Sequence, residues 1–522
     1  MSLYTEDIWK AFTEKVEQGF KLKTYPHFDP FFDFKKRKSE IKKLVNDPTG
    51  NSVSKHSFLP FVKIIIKTPR FRYQETDENR DLSLTAKERQ EYYEADTKKR
   101  PISFASHFDT YLYGFYSYAL NEKYQDYIKD RGFGDCVLAY RTDQDGKSNI
   151  QFAKETFDEV RNMFANGPCT AIALDIKGYF DSINHDILKE KWIKVLNETK
   201  VIDKDELPID QYKVFRSLTN YSYANKNSIL KHFNVNLRKK KRAGEYWQSL
   251  LDLIPNELAG KDFKDKFNLI RKRKLIVKNK PKKDGSLAGI PQGSSMSATL
   301  ANLYLIDFDH YLNDLATQNG FIYRRYCDDL LIICPSDQAN DLEEIVQDKI
   351  KKYRVEIQPR KTEKIEFKEN SKDLIRAFNR KRIEDESVTI TVENEEKYYK
   401  SLQYLGFEFN GQDITVRASS LSRYFRKMKG RITKTVMMAR GKNSKSDIIF
   451  RKQLYHRYTH LGQTNFLSYA YKASRKTYKN SEGVIKEGMD SKAIRRQLKA
   501  HFAILRKELK LTDEQIGGQD KL

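Results

Sequence analysis

The chain has 522 residues, of which 39% are hydrophobic and 12% aromatic, enough apolar material for real cores, which excludes wholesale disorder and suggests two or three domains. Its 97 Lys and Arg against 72 Asp and Glu leave a net charge of +25, which points to a polyanionic partner, nucleic acid before membrane. No apolar run reaches membrane-spanning length and the start, Met-Ser-Leu-Tyr-Thr-Glu-Asp, lacks a signal-peptide pattern, so a cytoplasmic protein is expected.

Residues 1–100 mix aromatic and charged segments, with a polar stretch from Glu75 to Lys99 that reads as an exposed loop and helix. An aromatic-rich helical segment, Tyr111 to Tyr127, is followed by the strand-like Cys136-Val-Leu-Ala-Tyr-Arg141. Thr170-Ala-Ile-Ala-Leu-Asp-Ile176 is a short apolar run, the pattern of a buried strand ending in an acid. Residues 185–280 read as helical and very basic, carrying Arg238-Lys-Lys-Lys-Arg242 and Arg271-Lys-Arg-Lys274. A loop with Gly285, Gly289, Pro291 and Gly293 leads into a predicted helix from Ser294 to Leu312. Phe321 to Cys334 reads as two short strands with Asp328-Asp329 at the turn. Then come an amphipathic helix (Glu343 to Tyr353), the strand-like Arg354-Val-Glu-Ile-Gln358 and a hairpin signal at Tyr404-Leu-Gly-Phe-Glu-Phe409. Beyond about Asn410 the chain turns to basic helices: residues 411–522 hold 26 Lys and Arg against 9 Asp and Glu. A solvated face normally mixes signs, so this balance favours nucleic-acid contact. The interleaved Tyr455, Tyr458, Tyr469, Tyr471 and Tyr478 suit base stacking or, equally, a core. The four cysteines, Cys136, Cys169, Cys327 and Cys334, show no CxxC spacing and read as reduced packing residues.

The chemistry lies in Tyr326-Cys327-Asp328-Asp329. Adjacent carboxylates in an apolar run repel one another and lose hydration. A divalent cation relieves both penalties, and Mg²⁺ leaves coordination positions for substrate phosphates. The competing reading is a solvated hairpin turn, where Asp is common. A pair of metals needs a third acid at the end of a nearby buried strand, and Asp175 meets that description.

With these segments in this order, the chain resembles the reverse transcriptase family over roughly residues 100–410. Asp175-Ile-Lys-Gly-Tyr-Phe-Asp-Ser-Ile-Asn184 resembles the first palm motif and Gly289-Ile-Pro-Gln-Gly-Ser-Ser-Met-Ser297 the second. Tyr326-Cys-Asp-Asp329 resembles the third, Gln358-Pro-Arg-Lys-Thr362 the fourth and Leu402-Gln-Tyr-Leu-Gly-Phe407 the fifth, the primer-grip hairpin. One such motif is weak; five in order are specific.

The resemblance implies catalysis by Asp175, Asp328, Asp329 and Lys361, the lysine as proton donor to pyrophosphate. It implies two Mg²⁺, with Mn²⁺ as a substitute, held at Asp175, Ile176, Asp328 and Asp329. Nucleotide contacts are implied for Arg141, Lys147, Tyr179, Phe180 and Gln292, with the Phe180 ring, or Tyr179 beside it, excluding a 2′-hydroxyl. Template and primer contacts are implied for Pro291, Gly293, Tyr326, Leu405 and Gly406.

The expected fold class is α+β, a right-hand polymerase whose fingers and palm, an antiparallel sheet packed by helices, precede a basic α-helical thumb or C-terminal domain. The expected divisions are an N-terminal extension (1–100), a core (101–410, with a basic helical insertion about 185–280) and a C-terminal nucleic-acid-binding domain (411–522). The implied partners are an RNA template, a DNA product and dNTPs, without membrane; a homo-oligomer stays open. Arg100-Pro-Ile-Ser-Phe-Ala-Ser-His-Phe-Asp109 resembles the N-terminal region of bacterial antiphage reverse transcriptases, which implies a cognate noncoding RNA. His107 and Asp109 would then be either functional or a buried, hydrogen-bonded pair. Retron or group II intron-like enzymes, and untemplated or protein-primed synthesis of the abortive-infection type, are the alternatives.

Overall fold

The computed structural model describes residues 3–19, 22, 25–73, 92–237, 249–280, 285–441 and 448–519. Its strands in chain order are β1 (Phe61–Tyr73), β2 (Tyr93–Phe104), β3 (Cys169–Asp175), β4 (Ser222–Asn225), β5 (Ile276–Lys278), β6 (Ile322–Tyr326) and β7 (Asp329–Pro335). They continue with β8 (Glu363–Glu369), β9 (Ile375–Asn379), β10 (Leu402–Tyr404), β11 (Phe407–Phe409), β12 (Ile414–Val416), β13 (Thr477–Lys479) and β14 (Ile485–Glu487). Helices and sheets are mixed, as expected. The chain divides into two compact units, each discontinuous in sequence. The first holds residues 1–140, 176–310 and 349–356; the second holds 141–175, 311–348 and 357–522.

The first unit has a four-stranded sheet in the order β2-β1-β4-β5. The β-branched run Ile64-Ile65-Ile66 favours a strand at β1, and β2 pairs with it antiparallel from Val62–Phe104 to Tyr73–Tyr93. Residues 93–99 are therefore strand, not the loop and helix expected there, because pairing overrides their polar sequence; residues 74–91 lie outside the described residues. Two short strands inside the basic 185–280 segment extend this sheet, β4 parallel to β1 and β5 antiparallel to β4. Phe28, Val62, Phe104, Ala224, Phe267 and Ile270 close the core against it. The Arg238–Arg242 cluster lies outside the described residues. The expected strand at 136–141 is instead a 3₁₀ turn, Gly134–Cys136, ending at Tyr140 with φ +63, so Val137 and Ala139 are buried by packing without a ladder. The predicted helix from Ser294 to Leu312 is two helices, Ser297–Tyr304 and Ile306–Asn319, broken at Leu305. Arg354 takes φ +52, which turns residues 354–358 away from a regular strand.

Helix His107–Asp130 is buried on nearly every side, as a helix without a polar stripe must be. His107 and Asp109 belong to its buried hydrogen-bonded start. Asp109 accepts from Leu59 N at 3.0 Å and lies 2.7 Å from His56 Nε2, while His107 Nδ1 and N both meet Asp29.

The Pro291-Gln292-Gly293 loop docks on the end of β2, with Ser103 N donating to the Gln292 carbonyl at 2.8 Å. Gly293 takes φ +114, and a Cβ there would stand 2.7 Å from Ile102 Cγ2 and 2.9 Å from the Ser103 carbonyl. Strain and clash act together, so Gly293→Val should destabilise the first unit by about 2–4 kcal/mol, read as a fall in the denaturant midpoint of its unfolding.

The second unit is built on a five-stranded antiparallel sheet in the order β6-β7-β3-β8-β9. Ala171, Ile172 and Leu174 of β3 and Leu330 to Ile333 of β7 are buried at its centre. Helix Asn149–Phe164 packs on it, opened by a Ser148–Gln151 capping box, with Phe157 against Phe409 at 5.2 Å. β10, β11 and β12 form a separate meander. The helices Ala418–Arg440, Arg451–Tyr458, Phe466–Ser474, Lys492–Leu498 and His501–Gln519 follow, with the β13–β14 hairpin between the third and fourth. That hairpin was not expected among basic helices. It is anchored on the sheet-packing helix, where Gln151 Nε2 donates to Tyr478 Oη at 3.2 Å and to the Glu487 carbonyl. The four cysteines are free and buried. Among the described residues no helix is long and apolar enough to cross a membrane.

Candidate active site

The paired acids lie at one end of the five-stranded sheet. β3 and β7 run antiparallel from Cys169 opposite Pro335 to Asp175 opposite Asp329, so both strands deliver a carboxylate to the same edge and face. Directly opposed residues place their Cβ atoms about 4.5–5.5 Å apart. Tyr326 faces Asp329 across the β6–β7 hairpin, leaving Cys327 and Asp328 as its two-residue loop. Cys327 is buried and takes φ +60, an uncommon conformation for a residue with a Cβ. The fully buried Arg325 holds it there, Nη1 donating to the Cys327 carbonyl at 3.1 Å. Backbone strain thus sits in the turn that aims the acids. Sequence reasoning missed Arg325; an arginine at an inward position of an apolar strand was the available signal.

Asp329 is open to solvent on one side, yet protein mass crowds it. That desolvation, then the charges of Asp328 and Asp175, push its carboxyl up to about 6, against the opposing pull of Lys361 and Arg417. Lys361 Nζ stands 2.6 Å from Asp175 Oδ2. It is carried there by the 3₁₀ turn Pro359–Lys361, and Gln358 N donates to the Asp175 carbonyl at 2.8 Å, tying the turn to the end of β3.

Among the described residues no three Asp, Glu, His or Cys side chains form a closed metal cage. Mg²⁺ does not require one, since it keeps several waters and is commonly held by one or two carboxylates plus substrate phosphates. Opposed Asp175 and Asp329, with Asp328 in the adjoining turn, fit that demand, and the raised carboxyl of Asp329 records the negative potential a cation would relieve.

Other expected site residues of this unit surround the sheet differently. Tyr326 is half-buried, its ring 6.4 Å from Phe152. Leu405 and Gly406 form the β10–β11 turn with φ +44 and +96, the pair of positive angles a two-residue turn of type I′ requires. Arg141 pairs with Asp143, Nε to Oδ1 at 2.9 Å, and Lys147 with Glu155 at 2.8 Å, so both expected triphosphate cations already have local counter-charges.

The remaining expected residues belong to the first unit. Ile176 has a buried side chain, which leaves its backbone carbonyl as what it can offer a metal. Tyr179 is buried, with its hydroxyl donating to the Ala301 carbonyl, while the neighbouring Phe180 ring stays partly exposed. Pro291 is buried, Gln292 is half-buried and Gly293 is exposed.

Residues 231–409 match the family model described as reverse transcriptase (RNA-dependent DNA polymerase). The match takes in the second to fifth motifs and begins after Asp175. The chain is similar to a telomerase reverse transcriptase of Takifugu rubripes, 27% identical over 208 residues, which are 37% of this chain and 19% of the relative. It thus spans about a fifth of that curated relative's length. Among solved structures, apo telomerase of Candida tropicalis truncated from its C-terminal domain aligns with a TM-score of 0.37 and 12% identity, over 62% of this chain and 53% of the other. Candida albicans telomerase in complex with a fragment of telomeric RNA aligns with a TM-score of 0.37 and 11% identity, over 93% and 61%.

Proposed function

We propose that this chain, which carries a reverse transcriptase domain, is an RNA-directed DNA polymerase that adds dNTPs to a 3′-hydroxyl. The observation that carries this reading is the opposition of Asp175 and Asp329 at one sheet end, with Asp328 in the adjoining turn. Asp175, Asp328, Asp329 and the Ile176 carbonyl would hold two Mg²⁺, or Mn²⁺ in their place. When bound, the ions would activate the primer hydroxyl and stabilise charge on the departing pyrophosphate. Phe180 presents its ring to the sugar and excludes a 2′-hydroxyl, while Gln292 hydrogen-bonds sugar or template. Arg141 and Lys147 exchange their carboxylate partners for the triphosphate. Pro291, Gly293, Tyr326, Leu405 and Gly406 guide template and primer. On this reading residues 101–410 are fingers and palm, and the basic helices after 410 are the thumb.

Lys361 balances the charge of Asp175 before substrate arrives, then donates a proton to pyrophosphate as it leaves. Lys361→Ala should lower kcat about 100-fold with KM for dNTP nearly constant, and Lys361→Arg should recover only part of the loss, in single-nucleotide incorporation assays.

We further propose that the template is a dedicated noncoding RNA in cytoplasmic antiphage defence, on the resemblance of Arg100–Asp109. The test is to purify the chain with its native flanking DNA and sequence the RNA and DNA that copurify. One RNA and a complementary DNA are expected. DNA without complementarity to any bound RNA would instead mean untemplated synthesis.

A further inference from the structure

We propose that the cleft between helices Phe466–Ser474, Lys492–Leu498 and His501–Gln519 binds a single-stranded RNA segment through its phosphates. None of the five motifs reaches it. The proposal deepens the polymerase reading, on which it rests for its supply of RNA.

The cleft has a volume of about 850 Å³, inside the range of roughly 300–1,000 Å³ usual for ligand sites. Lys472, Arg475, Arg495, Arg496 and Lys499 line it and no carboxylate does. Lys472 and Arg475 are three apart, and Arg495 and Lys499 four apart, so helical periodicity turns each pair toward one side. Their repulsion is answered only loosely from the edges. Arg495 reaches Asp490 at 3.4 Å and the Ser474 carbonyl at 3.0 Å, and Arg496 reaches Asp413 at 3.9 Å. Arg475 and Lys499 have no ion pair among the described residues. A merely solvated face would mix signs, whereas a concave, single-sign surface is what a phosphate chain neutralises.

Aromatic groups separate this surface from a simple anion pocket. Tyr471 and Phe502 also line the cleft, half-buried, with rings on which unpaired bases can stack. A duplex keeps its bases stacked on one another and gains nothing from them. The preference for RNA comes from a histidine pair. His501 Nδ1 donates to the Leu498 carbonyl at 2.6 Å, so its Nε2 accepts from His460 Nδ1 at 3.2 Å. Burial favours neutral His501, consistent with that acceptor role. His460 Nε2 is left as an acceptor in the cleft lining, suited to the ribose 2′-hydroxyl that DNA lacks.

The test uses the full chain and fluorescein-labelled 12-nucleotide oligo(U), oligo(dT) and a 12-base-pair RNA duplex, with anisotropy read at several salt concentrations, without dNTPs or divalent metal. Against wild type, the Arg475→Gln, Arg496→Gln, Lys499→Gln variant should bind oligo(U) at least tenfold more weakly. Its slope of log affinity on log salt should be shallower by about 2, from about 0.7 for each of three phosphates released. Where the triple variant does not fold, each single variant should lower the slope by about 0.7. His460→Ala should narrow the preference for oligo(U) over oligo(dT). An unchanged slope, or an equal loss of duplex binding, overturns the assignment. Because the readout is binding alone, wild-type protein that binds oligo(U) through the cleft but incorporates no dNTP would overturn the polymerase reading and leave the cleft standing.

Discussion

Asp329→Asn is expected to abolish dNTP incorporation while making the metal-free protein more stable. Loss of one of two opposed carboxylates at a site built for divalent ions should lower incorporation on the order of 10³-fold or more. The stability gain follows from the raised carboxyl. A group that holds its proton up to about 6 in the folded chain, against 3.8 ordinarily, favours the folded state less once both states are ionised. The penalty is therefore absent below about pH 4, grows between 3.8 and 6, and is complete above 6. A shift of two units would be about 3 kcal/mol in a sealed site. Asp329 is open to solvent on one side, so about 1 kcal/mol is expected. Denaturant melts of both proteins in chelator at pH 8 and pH 4 check this: the variant should gain at pH 8 and lose the advantage at pH 4. Equal stability at both values would mean that the three acids do not repel one another as described.

Phe180→Ala should relax sugar selection, raising ribonucleotide incorporation relative to deoxynucleotide on the order of 100-fold. Tyr179→Phe should leave that ratio alone, because the Tyr179 ring is buried and its hydroxyl is engaged by Ala301. Competition between rNTP and dNTP in single-nucleotide extension reads both. Relaxed selection in the tyrosine variant instead would assign the steric role to the wrong ring.

The catalytic end of the palm-like sheet was legible because its signals are local. β3 ends at Asp175 and the β6–β7 loop falls at Cys327-Asp328, since short apolar runs bounded by acids leave few alternatives. What places Asp175 opposite Asp329 is a register between strands more than 150 residues apart, and no periodicity encodes that. The same limit explains β2, where Glu94 to Lys99 lack a strand pattern and take one by pairing with β1. It explains residues 136–141 in reverse, where an apolar run is buried by its neighbours and needs no ladder. Arg325 was invisible for a third reason: its role is to hold a backbone carbonyl in a strained turn, which shows only when φ is known. In the basic C-terminal segment, charge alone could not single out a residue. Folding gathers Lys472 and Lys499, 27 positions apart, around one cleft.

The central claim is that the acids at the end of β3 and in the β6–β7 hairpin make DNA on RNA. Its most direct measurement is extension of an oligo(dT) primer on poly(rA) with dTTP and Mg²⁺, wild type beside the Asp328→Ala, Asp329→Ala variant. Long DNase-sensitive product from the wild type and none from the variant is the predicted result; product of equal length from the variant would contradict it.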